Sequence, residues 1–408
     1  MTTTINNKNK KPNVPNLRFP EFQGEWENCK VSDLLDFYST NSLSWDKLEY
    51  GTDAIQNLHY GLIHIGLPTM VNLSKDKLPN IISGNTPKNY VLCKEGDIAF
   101  ADASEDTNEV AKAIEFYNLN GKDVICGLHT IHGRDNQQKT VVGYKGYAFS
   151  STAFHHQIRR IAQGTKIYSI NSKNFSECHI GIPSKEEQKK IATLLRLIDE
   201  RIATQNKIID KLQSLIKGIV DCTILRKEKN AIVGVVCSIS EQIRAEANID
   251  DIITVRLHGN GVCKSSAENL QLGATQYYRR RAGQLIYGKQ NFHNGAIGIV
   301  PISLDNGITS KDIPSFDIDE MKCNSVYLLA QLQSPQYYKP AEALTTGTGS
   351  KRLKEETFLK MPIVLPNKRE QDNIAVLIHR ASMNLDHAKR LLELLSIQKQ
   401  FLLRQMFI

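Results

Sequence analysis

The stretch PSKEEQKKIATLLRLIDERIATQNKIIDKL, Pro183 to Leu212, returns as PNKREQDNIAVLIHRASMNLDHAKRLLELL from Pro366 to Leu395. A chain that writes one helix twice, 183 residues apart, is constrained to fold as two units of one plan. The same shift carries Gly164-Thr165 onto Gly347-Thr348, Phe175 onto Phe358, Glu187-Gln188 onto Glu370-Gln371 and Ile191-Ala192 onto Ile374-Ala375. Each copy follows a proline and opens on a cap pattern, Ser184 with Glu187 and Asn367 with Glu370. Such a pair is a capping box, in which the cap oxygen takes an amide of the first turn and the carboxylate reaches back.

Apolar residues then recur at alternating spacings of four and three. The first copy gives Ile191, Leu195, Ile198, Ile202, Ile209, Leu212, Ile216 and Ile219, broken once by Gln205. The second gives Ile374, Ile378, Ala381, Leu385, Ala388, Leu392, Leu395 and Leu402, broken once by Lys399. That is a coiled-coil seam, and two seams in one chain most simply pack on each other, antiparallel. Roughly 36 residues at 1.5 Å each make a spacer of about 54 Å.

The rest of the chain is mixed α/β (α+β): two globular domains in tandem, each closed by one copy of the helix. Short β-like runs (GLIHIGL, DIAFA and KDVICGLHTI, then DIITVRL, QLIYG and GAIGIVPI) sit among Gly, Asn and Asp turns. The expected division is a disordered tail 1–17, a first domain 18–183, a first long helix 184–225, a second domain 226–366 and a second long helix 367–408. No apolar run approaches the roughly 18 to 20 residues of a membrane span, and the first residues lack the apolar core of a secretory signal. The expected location is the cytoplasm. The eight cysteines are scattered singly, with no paired Cys-x-x-Cys and no histidine at zinc-ligand spacing, and read as reduced thiols with no metal site. A net charge of +8 favours polyanionic partners without naming one.

No catalytic constellation emerges. GQLIYGKQ, Gly283 to Gln290, has P-loop spacing but puts Gln290 where a hydroxyl should hold magnesium, and its interior reads as a strand. GNGVCK from Gly259 lacks a third glycine, and no adenine-methyltransferase tetrapeptide or nuclease triplet stands out. His129 and His132, and the pair His155-His156, read as core or polar contacts.

Two domains that each end in a P-x-x-x-E-Q-x-x-I-A helix resemble the specificity (S) subunit of type I restriction-modification enzymes. The likeness extends to NLRFPEF, GDIAFADASED, CGLHTIHGR and GTKIYSIN in the first domain, and to TVRLHGNGV, RRRAGQLIYG, NGAIGIVP and GTGSKRL in the second. The resemblance implies a non-catalytic subunit that binds double-stranded DNA. Each domain would read one half of an asymmetric, bipartite target. The helices would set the spacing and dock two modification (methyltransferase) subunits, which restriction (translocase and nuclease) subunits join. It places S-adenosylmethionine, ATP and magnesium on those partners, with no cofactor on this chain.

Phosphates call for Lys and Arg; base edges call for Arg, Lys, Asn, Gln or carboxylates. In the second domain the candidates are Lys264, Tyr277, Arg279, Arg280, Arg281, Lys289, Asn291 and Asn294, with Tyr278 beside them. In the first they are His59, Tyr60, His64, Lys88, Asn89 and Arg134, with Asp102, Glu105 and Asp106 as carboxylates that could serve cytosine or merely cap a turn. The paired GT loops add Thr165, Lys166 and Tyr168, and Thr348, Lys351 and Arg352; the competing reading is a hinge between domain and helix. Two other classes remain open. A dimeric DNA-binding regulator would form a homodimer that binds DNA alone; a scaffold or unrecognised enzyme would reveal itself by activity of the isolated chain.

Overall fold

The structure, a computed structural model, describes residues 13–265, 275–347 and 351–408. The chain divides into two compact units, one of residues 1–204 with 391–408 and the other of residues 205–390. Of the expected tail 1–17, residues 1–12 lie outside the described ones. Asn13 and Leu17 are already tied in: the Asn13 carbonyl accepts from Trp26 N at 2.8 Å, and Leu17 N donates to the Gln405 carbonyl at 2.9 Å.

The first unit carries two main sheets. One has the strand order Asp36–Tyr38, Thr130–Arg134, Ile98–Ala101, Ala113–Asn118, Met70–Asn72; the other runs Val124–Cys126, Gln56–Leu58, Asn80–Ile81, Leu48–Glu49. The run GLIHIGL departs from its β-like reading. Tyr60–His64 is a short helix whose cap, His59, accepts from Gly61 N through Nδ1 at 3.2 Å. A short apolar run fits either a strand or a buried helix, and a local cap decides.

In the second unit a four-stranded sheet, ordered Cys237–Ile239, Ser315–Ile318, Leu285–Tyr287, Ile297–Ile299, accompanies a three-stranded one, Arg244–Ala245, Tyr277–Arg279, Ile308–Ser310. The sheets differ between units, yet the frame around the helix starts is the same. A two-stranded ladder precedes each helix: Glu27–Lys30 with His179–Ile182, and Ala231–Ile232 with Pro362–Ile363.

Lys185–Val220 is a helix of 36 residues, and Lys368–Gln405 one of 38. The caps are half of the expected boxes. Glu187 N donates to Ser184 Oγ at 3.3 Å and Glu370 N to Asn367 Oδ1 at 3.0 Å. The carboxylates do not turn back: Glu187 takes Arg18 in a two-pronged contact at 2.7 and 2.8 Å, and Glu370 takes Lys227. A cation in reach outcompetes a strained bond to the cap's own amide.

The glutamine of each E-Q pair does more. Gln188, fully buried, donates to the carbonyls of Lys139 and Pro183 at 3.1 and 2.9 Å and accepts from Val141 N at 2.8 Å. Gln371 donates to the carbonyls of Lys322 and Pro366 at 3.1 and 2.8 Å and accepts from Asn324 N at 2.9 Å. Every partner is displaced by the same 183 residues. The shift also relates Tyr144 OH on the Gly181 carbonyl to Tyr327 OH on the Val364 carbonyl, and Phe175 to Phe358, each in an aromatic core. Duplication is thus written in hydrogen bonds that residue identity alone does not reveal.

Each seam residue is buried or half-buried. In the first unit Ile191, Leu195 and Ile198 share a core with Leu402, Leu403, Met406 and Phe407, and Lys399 reaches Asp199 at 2.6 Å. In the second, Val220 and Ile224 share a core with Ile374 and Ile378, and Gln205 Nε2 donates to the Ala388 carbonyl at 3.0 Å. Both polar breaks in the seams therefore carry a specific bond, as buried polar groups require. No described helix is long and apolar enough to cross a membrane.

Candidate nucleic-acid interface

In the first unit the structure gathers several of the candidates on one patch. The Tyr60 ring lies 4.7 Å from His59 and 5.2 Å from His129, and His129 Nδ1 is 3.1 Å from Asp102 Oδ1. His64 Nε2 meets the Ala103 carbonyl at 2.9 Å, and Ala103–Ser104 pairs with Tyr168–Ser169. The GT loop is therefore a neighbour of the short helix. His59 itself is buried beneath Trp45, whose ring is 4.5 Å away; burial, aided by His129, lowers its pKa and keeps it neutral. It is a cap and a stacking platform rather than an exposed reader.

The loop is closed by Gln163 and Ser169, which exchange backbone bonds at 2.9 and 2.8 Å. The second unit closes its loop between Thr346 and Arg352, again 183 residues on, at 3.1 and 2.9 Å. Gly164 and Gly347 stand at φ 140° and 131°, and a Cβ on Gly164 would collide with the Ile167 carbonyl. That backbone is open to glycine alone. Thr165 and Lys166 are exposed and Tyr168 half-buried. Thr348 lies outside the described residues.

Lys88 and Asn89 are exposed in the segment between Asn80–Ile81 and Ile98–Ala101. Arg134 is already engaged. It grips Asp97 with two bonds at 2.8 and 2.7 Å, donates to the Leu92 carbonyl at 2.8 Å and lies over the Tyr38 ring. Its guanidinium is a strut, and a phosphate would have to displace a buried carboxylate to recruit it.

In the second unit, Lys289, Lys311, Arg352 and Lys354 line one recess together with Thr346 and Gly347. Sequence reading found two of these cations and missed two. Lys354 continues the KRLK run, a signal that was present; Lys311 arrives from a distant strand end. Lys289 pairs with Glu355 at 2.7 Å and Arg352 with Asp312 at 3.1 Å, the latter pair half exposed on both sides. Lys351 and Arg279 are exposed, as are Lys264, Arg281 and Asn291, whereas Asn294 and Tyr278 are half-buried and Tyr277 is buried.

Arg280 departs from the expected role. It is fully buried and donates to Thr309 Oγ1 at 2.7 Å, Ser315 Oγ at 2.9 Å and the Ile313 carbonyl at 3.0 Å. Burial pushes its pKa down to about 10. Arg279 ends the strand Tyr277–Arg279 exposed, and Arg280, the next residue, is buried. The triple arginine is therefore one exposed pair around a core strut.

Residues 76–214 match the family model of the type I restriction modification DNA specificity domain. No curated protein sequence matches the chain. Among solved structures, the S subunit of a type I restriction-modification system from M. genitalium aligns with TM-score 0.62 at 13% identity, covering 97% of this chain and 99% of that one. A chain from the type I R-M system, solved for its complex assembly and conformational transition, aligns with TM-score 0.52 at 13% identity, covering 93% and 96%. At such identity the likeness is one of fold. Residues 76–214 are thus similar to a type I restriction-modification DNA specificity domain, and they lie in a fold that the S subunit from M. genitalium shares along nearly the whole chain.

Proposed function

We propose that this chain is the specificity subunit of a type I restriction-modification complex. Each unit reads one half of an asymmetric, bipartite DNA site, and the chain directs adenine-methylating modification subunits and restriction subunits to it. S-adenosylmethionine, ATP and magnesium belong to those partners. The observation that carries the reading is the duplicated frame: one helix-start clamp and one GT loop built twice, under sheets of different order. Equal frames with unequal sheets suit two readers of unequal sequences. Within each unit the start of one long helix shares a core with the end of the other, Ile191 to Ile198 with Leu402 to Phe407 and Val220 with Ile374 and Ile378. That packing supports an antiparallel helix pair as the spacer. Leu197, Leu215, Leu394, Ile397 and Phe401 remain exposed on the long helices, apolar surface that suits docking of the modification subunits.

The test is a map of methylated adenine in DNA from cells carrying this chain with its modification subunit, against cells lacking the chain. A new bipartite motif is expected; its absence would overturn the reading.

The GT loop of the second unit should contact phosphates. Exposed ion pairs such as Arg352 with Asp312 are worth little, so a phosphate can recruit the arginine cheaply. Replacing Lys351 and Arg352 with alanine should weaken binding across all sequences and reduce the slope of log K against log salt by about 1.8, roughly 0.9 for each phosphate no longer neutralised. Titrations of the assembled methyltransferase at several salt concentrations check this, and an unchanged slope would place the loop away from DNA.

A further inference from the structure

Inside the first unit, three buried side chains converge that no sequence spacing connects. Cys93, Cys126 and His132 offer ligand atoms that all lie within 4.8 Å of one another, and all three residues are buried. Cys93 Sγ and Cys126 Sγ are 3.6 Å apart. Two thiolates bound at about 2.3 Å to a tetrahedral zinc ion stand about 3.8 Å apart, whereas a disulfide needs about 2.05 Å. The thiols are therefore spaced as an edge of a metal tetrahedron.

The histidine is prepared in the same sense. His132 is fully buried; its Nε2 meets Asp97 Oδ2 at 2.7 Å, and its Nδ1 has no hydrogen-bond partner among the described residues. A ring nitrogen donated to a carboxylate leaves its lone pair on the other nitrogen and sets the tautomer that ligates a metal. A buried acceptor left without a partner costs free energy unless something occupies it. Charge closes as well: a divalent cation neutralises two thiolates, and Arg134, gripping Asp97 at 2.7 and 2.8 Å, neutralises the carboxylate.

We propose that Cys93, Cys126 and His132 bind a zinc(II) ion, with Asp97 as the positioning residue behind the histidine. Two thiolates and an imidazole are the donor set of a borderline-soft divalent cation. Three protein ligands leave the fourth tetrahedral position to a water. Asp97 and Arg134 also line an open recess beside the site, which supplies an entry path. The ion would be structural: Cys126 ends a strand of the four-stranded sheet, His132 sits in the five-stranded sheet, and Cys93 joins the former through its backbone bond to Val124. One ion would staple the two sheets of the unit.

The experiment uses the full chain, purified reduced and without chelators, for metal analysis. The same protein, stripped and titrated with cobalt(II), provides an optical probe that needs no variant. About one zinc per chain and a thiolate-to-cobalt charge-transfer band with tetrahedral d–d bands are expected. Cys126→Ser should lose the charge-transfer intensity in part and weaken cobalt binding at least 100-fold, while Asp97→Asn should weaken it 10- to 100-fold with the thiolate band retained. Wild-type protein that binds cobalt without a thiolate band, or that takes up less than a tenth of an equivalent, overturns the assignment. So does a Cys93–Cys126 disulfide in the reduced preparation, found by mass spectrometry.

Discussion

Gln188→Met should lower the stability of the first unit by about 2–4 kcal/mol, and Gln371→Met the second by a like amount. Methionine keeps the length and much of the volume of glutamine, so no large cavity adds to the effect. The substitution removes three hydrogen bonds per site. In the first unit the Val141 amide and the Lys139 and Pro183 carbonyls are left without the side chain that satisfies them. These bonds join the strand end, the preceding loop and the first turn of the long helix, so the loss falls on the angle at which the helix leaves its domain. Hydrogen exchange on the full chain reads each site separately, at Val141 and at Asn324. Each substitution should speed exchange at its own amide and spare the other, because the two sites share no partner. A loss below about 0.5 kcal/mol would make the repeated glutamine an accident of ancestry.

That glutamine also marks how far the sequence could be read. The long helices and the duplication are local or periodic signals, and a helix of 36 residues, Lys185–Val220, and one of 38, Lys368–Gln405, follow the two copies of the repeat. The strands at Ile98–Ala101 and Leu285–Tyr287 likewise follow from compact apolar runs. What escaped is whatever depends on contacts across distant segments. The E-Q pair was visible as a motif, but nothing in it says that the glutamate turns to Arg18 or that the glutamine clamps Lys139 and Pro183. Arg279 and Arg280 are identical as letters, and only the distant partners Thr309, Ile313 and Ser315 mark the second as a buried strut beside a solvent-facing cation. Cys93, Cys126 and His132 come from a loop and two strands; no linear spacing rule reaches across such a gap. Their separate neighbourhoods in sequence read as ordinary core.

Lengthening both long helices by one heptad should move the methylated half-sites apart by about three base pairs. Seven residues add about 10.5 Å of helix, and B-DNA rises about 3.4 Å per base pair. A heptad is close to two full turns, so the seam, and with it the pairing of Ile198 with its neighbours in the first unit's core, returns to the same face. Insertion in one copy alone leaves the seams out of step and should cost stability without yielding a new target. The insertion belongs between Gln205 and Ile209 and between Ala388 and Leu392, outside the clamped helix starts and the core formed by Leu402 to Phe407. Adenine-methylation maps of the lengthened variant with its modification subunit provide the readout: half-site sequences unchanged, spacer increased. An active variant with an unaltered spacer would show that the helices hold the domains together without measuring the distance between them.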